Sequence, residues 1–384
     1  MKRISDIRIL ILLWFLVHLF LLIFYGHRQL ADASGYLSGA DYMLANGTLE
    51  DPRFLFYLTH IISIASFRWL FPNLVWPAIF FQCILSGAAL LLLYKASSKI
   101  FGSYSAAFFS CLIFLFWWDN IQWNTTLMTE SLACSLTCIL IYLLSCFQGR
   151  IKDFILIITL LILIFFTRPT GIIPIVGVVF FLLVYYRESI NKVAGLNLIL
   201  ITCVLLLGIL AADQMFLRWD FTEQYIHGNI VTYMNIIEGS QYYEPVLRLD
   251  AGKLVIPPSE ERPLMKMLMF VYDNPIHFLK VSALKFWYLI SGVRPYYSKF
   301  HNVFSLLWLS MVYMFFFFGW KRLENKPMRA FIICLIILNC ALVSLSTVDW
   351  DNRFYIPMEP AIVLVAGMGA VGLSAEFLKG KFRL

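Results

Sequence analysis

Long apolar runs interrupted by very few charges constrain this chain more than any other feature of its sequence. Charged residues make up only 14% of its 384 residues and hydrophobic residues 61%, whereas a soluble domain has about 25% charged and about 45–50% apolar residues. So few charges cannot cover a water-facing surface, and much of that surface must therefore contact lipid. We predict an all-α polytopic membrane protein, which excludes a soluble enzyme, a secreted domain and a disordered tail.

Ten segments have the character of a membrane-spanning helix, for which roughly 17–25 mostly apolar residues are needed. They are 9–26, 74–94, 104–118, 127–147, 153–167, 170–186, 195–217, 303–320, 329–347 and 355–373. The segments that begin near residues 104, 153 and 170 are short, and we expect them to extend into their flanks. The first segment is too long and too rich in Trp, Phe and His for a signal peptide, so we expect it to be retained.

The run from Phe54 to Phe71 decides the topology. It is apolar enough to span but contains His60 and Arg68, and counting it as a span reverses every later loop. If it lies flat on the outer surface, 16 of the 30 Lys and Arg residues but only 5 of the 23 acidic residues face the cytoplasm. Because this distribution obeys the positive-inside rule, we predict about ten spans with both termini in the cytoplasm. The net charge of +7 then reflects topology, and no nucleic-acid partner is expected.

This topology places two long segments on the outer face, a first outer loop at 27–73 and a large outer loop at 218–302. Within the second, 274–290 mixes apolar residues with Lys280 and Lys285, as a helix lying on the membrane surface would. No internal repeat or low-complexity linker divides the chain, so we treat residues 1–384 as a single transmembrane domain. All eight cysteines lie in apolar runs, which indicates small buried side chains rather than disulfides or a zinc site.

Asp32 opens the first outer loop at the predicted end of a span, where ionisable groups are costly and are candidates for function. Tyr36, Ala40 and Leu44 follow at intervals of four, which places them on one helix face, and Gly47 supplies a stop signal. Asp32 is therefore the N-cap of this helix, a carboxylate held at the membrane surface as a general base, or both.

Glu130 and Arg168 lie at two other predicted outer ends. Glu130 begins a span, where the positive end of the helix dipole would stabilise it, yet Asp119 and Asn120 make the same neck unusually polar. Arg168 interrupts an apolar run just before Pro169, and broken helices of this kind are tolerated where they line a cavity. Its guanidinium either holds an anionic head group or extends to a lipid phosphate.

A fourth polar group, the segment 349–360, stands at the mouth of the last span. Asp351 and Arg353 either form an internal ion pair, which contributes little when exposed, or belong to a site. The histidines are scattered along the chain and do not indicate a metal site.

The order of these residues resembles the integral-membrane GT-C glycosyltransferases, which include protein O-mannosyltransferases and lipid A aminoarabinose transferases. The similarity covers most of the chain as an arrangement and is carried by short motifs. These are Asp32-x3-Tyr36-x3-Ala40-x3-Leu44-x2-Gly47, Thr129-Glu130-Ser131-Leu132, Thr167-Arg168-Pro169-x-Gly171 and Arg353-Phe354-x-x-Pro357-x-x-Pro360.

The resemblance implies a GT-C-like bundle with juxtamembrane helices on the outer face. It implies transfer of a sugar from a polyprenyl-phosphate donor to a lipid, glycan or protein acceptor at the outer leaflet. In such enzymes the first-loop acid is usually catalytic, which corresponds to Asp32. Many members have paired acids there, whereas Ala33 follows Asp32 here. A divalent metal is therefore possible but not indicated, and no other cofactor is expected.

We predict an inverting displacement in which Asp32 takes the proton of the acceptor hydroxyl and Glu130 positions the acceptor. Arg168 and Arg353 would stabilise the departing lipid phosphate, with Lys or Arg residues from 280–299 in reserve. The predicted substrate-binding residues are Tyr36, Asp41, Arg168, Arg353 and Tyr355. Two alternatives stay open, a transporter or flippase of a lipid-linked saccharide and a polysaccharide polymerase. The compact architecture favours a bacterial inner membrane.

Overall fold

The computed structural model describes residues 2–28, 32–190, 208, 221–232, 240–250, 252–348 and 351–381. The predicted span 195–217 lies outside the described residues except for residue 208, and so do Asp349 and Trp350 of the last polar segment.

Regular structure in the described residues is entirely helical, which confirms the predicted all-α class. The α-helices are α1 Lys2–Phe24, α2 Ala33–Asn46, α3 Leu58–Leu70, α4 Trp76–Phe101, α5 Tyr104–Leu115, α6 Trp118–Ile121, α7 Thr129–Cys146, α8 Ile151–Phe165, α9 Ile172–Tyr185, α10 Arg187–Ile190, α11 Phe221–Ile226, α12 Ser240–Leu247, α13 Pro263–Asp273, α14 Pro275–Ser291, α15 Lys299–Trp320, α16 Lys326–Leu345 and α17 Glu359–Lys381. Short 3₁₀ turns cover Pro52–Tyr57, Gln122–Thr125, Pro169–Gly171 and Arg353–Met358.

Six helices in the described residues are long and apolar enough to cross a membrane, judged by length and composition. They are Ile4–Phe24, Trp76–Phe101, Thr129–Cys146, Lys299–Trp320, Lys326–Leu345 and Arg353–Leu373. All six coincide with predicted spans, and the chain is therefore a helical, polytopic membrane protein.

Three predicted spans are shorter or more broken than expected. The chain bends by 60° between Leu115 and Trp118, so that α5 and the segment Trp118–Thr125 form at most one broken span. The expected extension of the segments near 153 and 170 is wrong, because α8 and α9 have only 15 and 14 residues. The Arg-Pro turn between them ends α8 at Phe165, since the residue before a proline is disfavoured in helical conformation.

The ambiguous run after α2 forms a 3₁₀ turn and then α3, which has 13 residues. Its length falls below the roughly 17 residues that a span needs. The expectation that the run lies flat on the outer surface stays a prediction.

The described chain divides into two compact units. The first comprises residues 1–181, 311–336 and 356–384, and the second comprises residues 182–310 and 337–355. In the first unit α17 packs on α5 and α7, while α4 packs on the same two helices. Gly367 permits a close crossing of α17 and α5, because a Cβ atom there would lie 2.1 Å from the Ser110 hydroxyl oxygen on α5. Small residues commonly allow such close helix packing in membranes.

The second unit has its own core, formed by Tyr225 on α11, Met267 and Phe270 on α13, and Val281 on α14. Lys285 on α14 is fully buried. The expectation that Lys285 belongs to the exposed polar face of a surface helix is therefore wrong, because its side chain lies on the face of α14 that packs against Tyr225. Lys280 is exposed as expected.

Candidate functional site

The chain that follows α1 is fastened to the segment that leads into α7. The Arg28 backbone N–H donates to the Thr125 carbonyl at 3.3 Å, and the Arg28 guanidinium lies 3.4 Å from the Gln122 carbonyl. The same guanidinium lies 4.0 Å from the centre of the Tyr25 ring, in cation–π geometry. These contacts in the first unit fix the start of the first outer loop.

Asp32 stands at the N-cap position of α2, but its side chain makes no capping hydrogen bond. Its backbone carbonyl accepts the Tyr36 N–H at 3.0 Å, and the residue is exposed. Tyr36 and Ala40 are buried on one face of α2, as their spacing predicts, whereas Leu44 is exposed. Gly47 ends the helix in the left-handed conformation. The geometry thus favours the alternative in which the Asp32 carboxylate does not cap the helix.

Glu130 and Arg168, predicted from separate motifs, meet in the structure. The Arg168 Nη1 atom lies 3.4 Å from Glu130 Oε1, and the two side chains are only 7% and 3% exposed. Glu130 is in the first turn of α7, where the helix dipole favours a negative charge. Because removing either member of a buried ion pair leaves a desolvated charge, the two residues depend on each other.

The turn that presents Arg168 explains the residue types around it. Arg168 is extended, as expected before Pro169, and the 3₁₀ turn then leads into α9. A Cβ atom on Gly171 would lie 2.4 Å from the Ile164 carbonyl oxygen, so no other residue fits without a shift. The Thr167 hydroxyl donates to the Leu163 carbonyl at 2.6 Å and closes the end of α8. The turn therefore aims the guanidinium inward.

His60 joins these residues, although no sequence pattern assigned it a role. It lies on α3 with 1% exposure, and its ring meets the Tyr36 ring edge to face at a centroid distance of 5.2 Å. Burial lowers the pKa of His60 to about 4, which hydrogen bonding to the Leu127 backbone and the charge of Glu130 offset only in part. His60 is therefore neutral near pH 7. We call Tyr36, His60, Glu130 and Arg168 the polar cluster.

The first turn of α3 is held at the connection between α8 and α9. The Thr59 N–H donates to the Phe166 carbonyl at 2.9 Å, and the Thr59 hydroxyl donates to the Leu163 carbonyl at the same distance. His60 follows Thr59 directly, so these two bonds place its ring at the turn that carries Arg168.

Asp41, a predicted substrate-binding residue, has a structural partner. Arg68 on α3 donates two hydrogen bonds to its carboxylate, at 2.8 and 2.9 Å. This two-point pair joins α2 to α3, which pack side by side. The structure thus gives Asp41 a role in holding α2 against α3. Its role in substrate binding stays a prediction.

A second buried carboxylate lies deeper in the first unit. Asn120 Nδ2 donates to Glu359 Oε1 at 2.9 Å, and both residues are buried. Asn120, one of the residues that make this region unusually polar in the sequence, is therefore hydrogen-bonded to the first residue of α17. Sequence patterns had grouped Glu359 with the acids near Arg353.

The remaining predicted residues belong to the second unit. Arg353 Nε lies 3.5 Å from Asp351 Oδ1, and the side chains are 5% and 10% exposed. Asn352 between them has a positive φ of 68° and donates its side-chain amide to the Gly292 carbonyl at 3.1 Å. Tyr355 is buried. The local ion pair considered for Asp351 and Arg353 is thus present, and it is buried rather than exposed.

Within the described residues, no group of three or more His, Cys, Asp or Glu side chains is placed to hold a metal ion. The polar cluster offers one guanidinium, one carboxylate, a neutral imidazole and a phenol, and the phenol belongs to Tyr36, which follows the exposed Asp32 by one helical turn. Such groups can bind hydroxyls and a phosphate.

Known proteins resemble this chain in structure rather than in sequence. No protein-family model matches the chain, and no curated protein matches it. Among solved structures, the chain is similar to the archaeal oligosaccharyltransferase AglB from Archaeoglobus fulgidus, a structure in complex with an inhibitory peptide and a dolichol-phosphate. The sequences are 12% identical and the TM-score is 0.49, over 99% of this chain and 51% of AglB. The chain thus spans about half the length of that protein.

Proposed function

We propose that the chain is a membrane glycosyltransferase that moves a sugar from a polyprenyl-phosphate donor to an acceptor hydroxyl at the outer face of a bacterial inner membrane. The observation that carries this proposal is the buried pair of Glu130 and Arg168, 3.4 Å apart within a bundle of apolar helices. Buried ionisable groups in membrane proteins are costly and mark functional sites by default. Asp32 lies one helical turn before Tyr36 of the same cluster.

Each group then has a role in the displacement. The acceptor oxygen forms a bond to the anomeric carbon while its proton passes to the Asp32 carboxylate. The bond from that carbon to the phosphate oxygen breaks with inversion, and polyprenyl phosphate leaves. Arg168 stabilises the negative charge that grows on this phosphate.

Glu130 would position the acceptor, as an anion that accepts hydrogen bonds from its hydroxyls. Because Glu130 and Arg168 are paired in this structure, an incoming phosphate would share Arg168 with Glu130. Tyr36 and Asp41 are also proposed to contact the substrate, and Asp41 is paired with Arg68 in this structure.

The proposal is tested in detergent micelles, where no compartments exist and transport produces no change. The purified protein is incubated with polyprenyl-phosphate hexoses and pentoses and with a membrane extract as the source of acceptors. We expect release of polyprenyl phosphate from one donor class, and its loss in an Arg168→Gln variant. Flipping of these lipids in proteoliposomes without any release in micelles would instead identify a transporter.

A further inference from the structure

Helix α13 in the second unit exposes apolar side chains on its outer face although it buries a lysine on its inner face. Lys266 is buried, and its Nζ atom lies 3.0 Å from Glu223 Oε1. Met265, Leu268 and Tyr272 point outward, and Tyr272 is 85% exposed. In water the lysine would be expected outside and these side chains inside.

Helix α14, the next helix along the chain, likewise combines a buried lysine with exposed apolar side chains. Lys285 is fully buried, donates to the Ser346 carbonyl at 2.6 Å and lies 3.7 Å from the centre of the Tyr225 ring. Ile276 and Leu279 are 70% and 64% exposed, one turn apart. Two consecutive helices thus bury a lysine and expose apolar side chains.

This arrangement is unfavourable in water on both sides of each helix. Taking an ammonium group out of water is costly even when it is hydrogen-bonded, and burial lowers the pKa of Lys285 to about 7. Leaving large apolar side chains in water forgoes the stabilisation that their burial would give. The apolar term reverses if the exposed face contacts hydrocarbon, and a lysine that faces protein then avoids the higher cost of facing lipid.

The neighbouring residues point to lipid as the occupant. The next helix, α15, is long and apolar enough to be a membrane span, and its first turns expose Phe300, Val303 and Leu307. Trp287 is half exposed on α14, and aromatic residues of this kind are enriched at the membrane interface. Lys280 on α14 is exposed, and its side chain is long enough to reach the head groups.

We propose that α13 and α14 lie with this apolar stripe in the acyl-chain region of the bilayer, although neither helix is long enough to span it. The stripe consists of Met265, Leu268, Tyr272, Ile276, Leu279, Phe286 and Trp287. A lipid-embedded helix pair would keep the second unit at a fixed depth. This inference does not depend on the proposed enzymatic activity.

Spin-label collision measurements test this in the full-length protein in lipid nanodiscs. A genetically encoded ketone residue carries the label, so that the native cysteines are kept. Labels replace Leu268, Leu279 and Phe286, all exposed, with Phe317 of the α15 span as the lipid control and exposed Glu260 as the water control. Accessibility to oxygen and to a water-soluble nickel chelate is measured at each position.

We expect the three test labels to behave like Phe317, with high accessibility to oxygen and low accessibility to nickel. Nickel accessibility like that of Glu260 would place the stripe in water. Low accessibility to both reagents would show that protein covers it, either a second copy or a partner. Either result would overturn the proposal.

Discussion

The behaviour of single residues in the polar cluster follows from their burial. Glu130 and Arg168 form an ion pair whose side chains are almost fully buried, so their mutual attraction offsets the cost of removing both groups from water. His60, beside them, responds in the opposite way and is neutral because no water stabilises its charged form.

Replacing Arg168 by Met should destabilise the protein by about 3–5 kcal/mol, because Glu130 loses its opposite charge in a buried place. The double variant Glu130→Gln with Arg168→Met should recover part of this loss, since no charge is then left behind. Thermal unfolding in detergent, followed by tryptophan fluorescence, measures both. Equal losses in the single and double variants would show that the two charges are not coupled.

His60 should make the stability depend on pH in a definable window. Its pKa is about 4 in the folded chain and about 6.5 when unfolded, so the unfolded state binds the extra proton between these values. The contribution of neutral His60 to the free energy of unfolding is fully present above pH 6.5. It falls by roughly 3 kcal/mol as the pH drops toward 4. The difference in melting temperature between wild type and His60→Gln should change over this range. A constant difference from pH 4 to 7.5 would contradict the assignment.

Site residues could be predicted from the sequence where a charged side chain interrupts an apolar run. Glu130 and Arg168 do so at predicted helix ends. His60 was noticed only as an interruption of a flat run, because a single histidine in an apolar helix carries no sign of its neighbours. Its contact with Tyr36 depends on how α2 and α3 pack, which residue spacing along either helix does not reveal.

Among the elements, the turn between α8 and α9 matters most for the site. It replaces a continuous helix by two short ones, and Gly171 permits the contact with the α8 carbonyls. Helix breaks of this kind could be predicted from Pro169 and Gly171. The break between α5 and α6 could not, because no proline or glycine marks it and the chain bends at Phe116 and Trp117.

A Gly171→Ala variant should lower both stability and any transferase activity. Its methyl group would lie 2.4 Å from the Ile164 carbonyl oxygen, so the turn must shift and move Arg168. Gly35→Ala is the matched control, because nothing lies within 4 Å of its added atom, and alanine is a better helix former than glycine. Melting temperatures of both variants check this, and a Gly171→Ala protein as stable as Gly35→Ala would disprove the close contact.

At the scale of the whole molecule, the class of fold follows from composition alone, since 61% hydrophobic residues require a lipid environment. The positions of the six long apolar helices in the described residues were also predictable, whereas three of the ten predicted spans are shorter or more broken than expected. The grouping of the described residues into two compact units was not, because it depends on contacts between distant segments. Sidedness remains a prediction from the basic loops.

The topology is open to a direct check. Reporter domains inserted after residue 149 should be cytoplasmic, because basic residues cluster in that short loop. Those inserted after residue 48, in the first outer loop, should lie outside. Paired alkaline phosphatase and fluorescent-protein fusions measure the two sides. The same side for both insertions would refute the proposed arrangement.

The role of Asp32 is the central claim, and the release of polyprenyl phosphate from a polyprenyl-phosphate sugar tests it most directly. Rates are compared for the wild type, Asp32→Asn and Glu50→Gln, an exposed acid of the same loop. If Asp32 is the general base, Asp32→Asn should lose about 10²–10⁴-fold in kcat with an unchanged melting temperature, while Glu50→Gln keeps the wild-type rate. An Asp32→Asn protein that inserts normally and transfers at the wild-type rate would contradict the account.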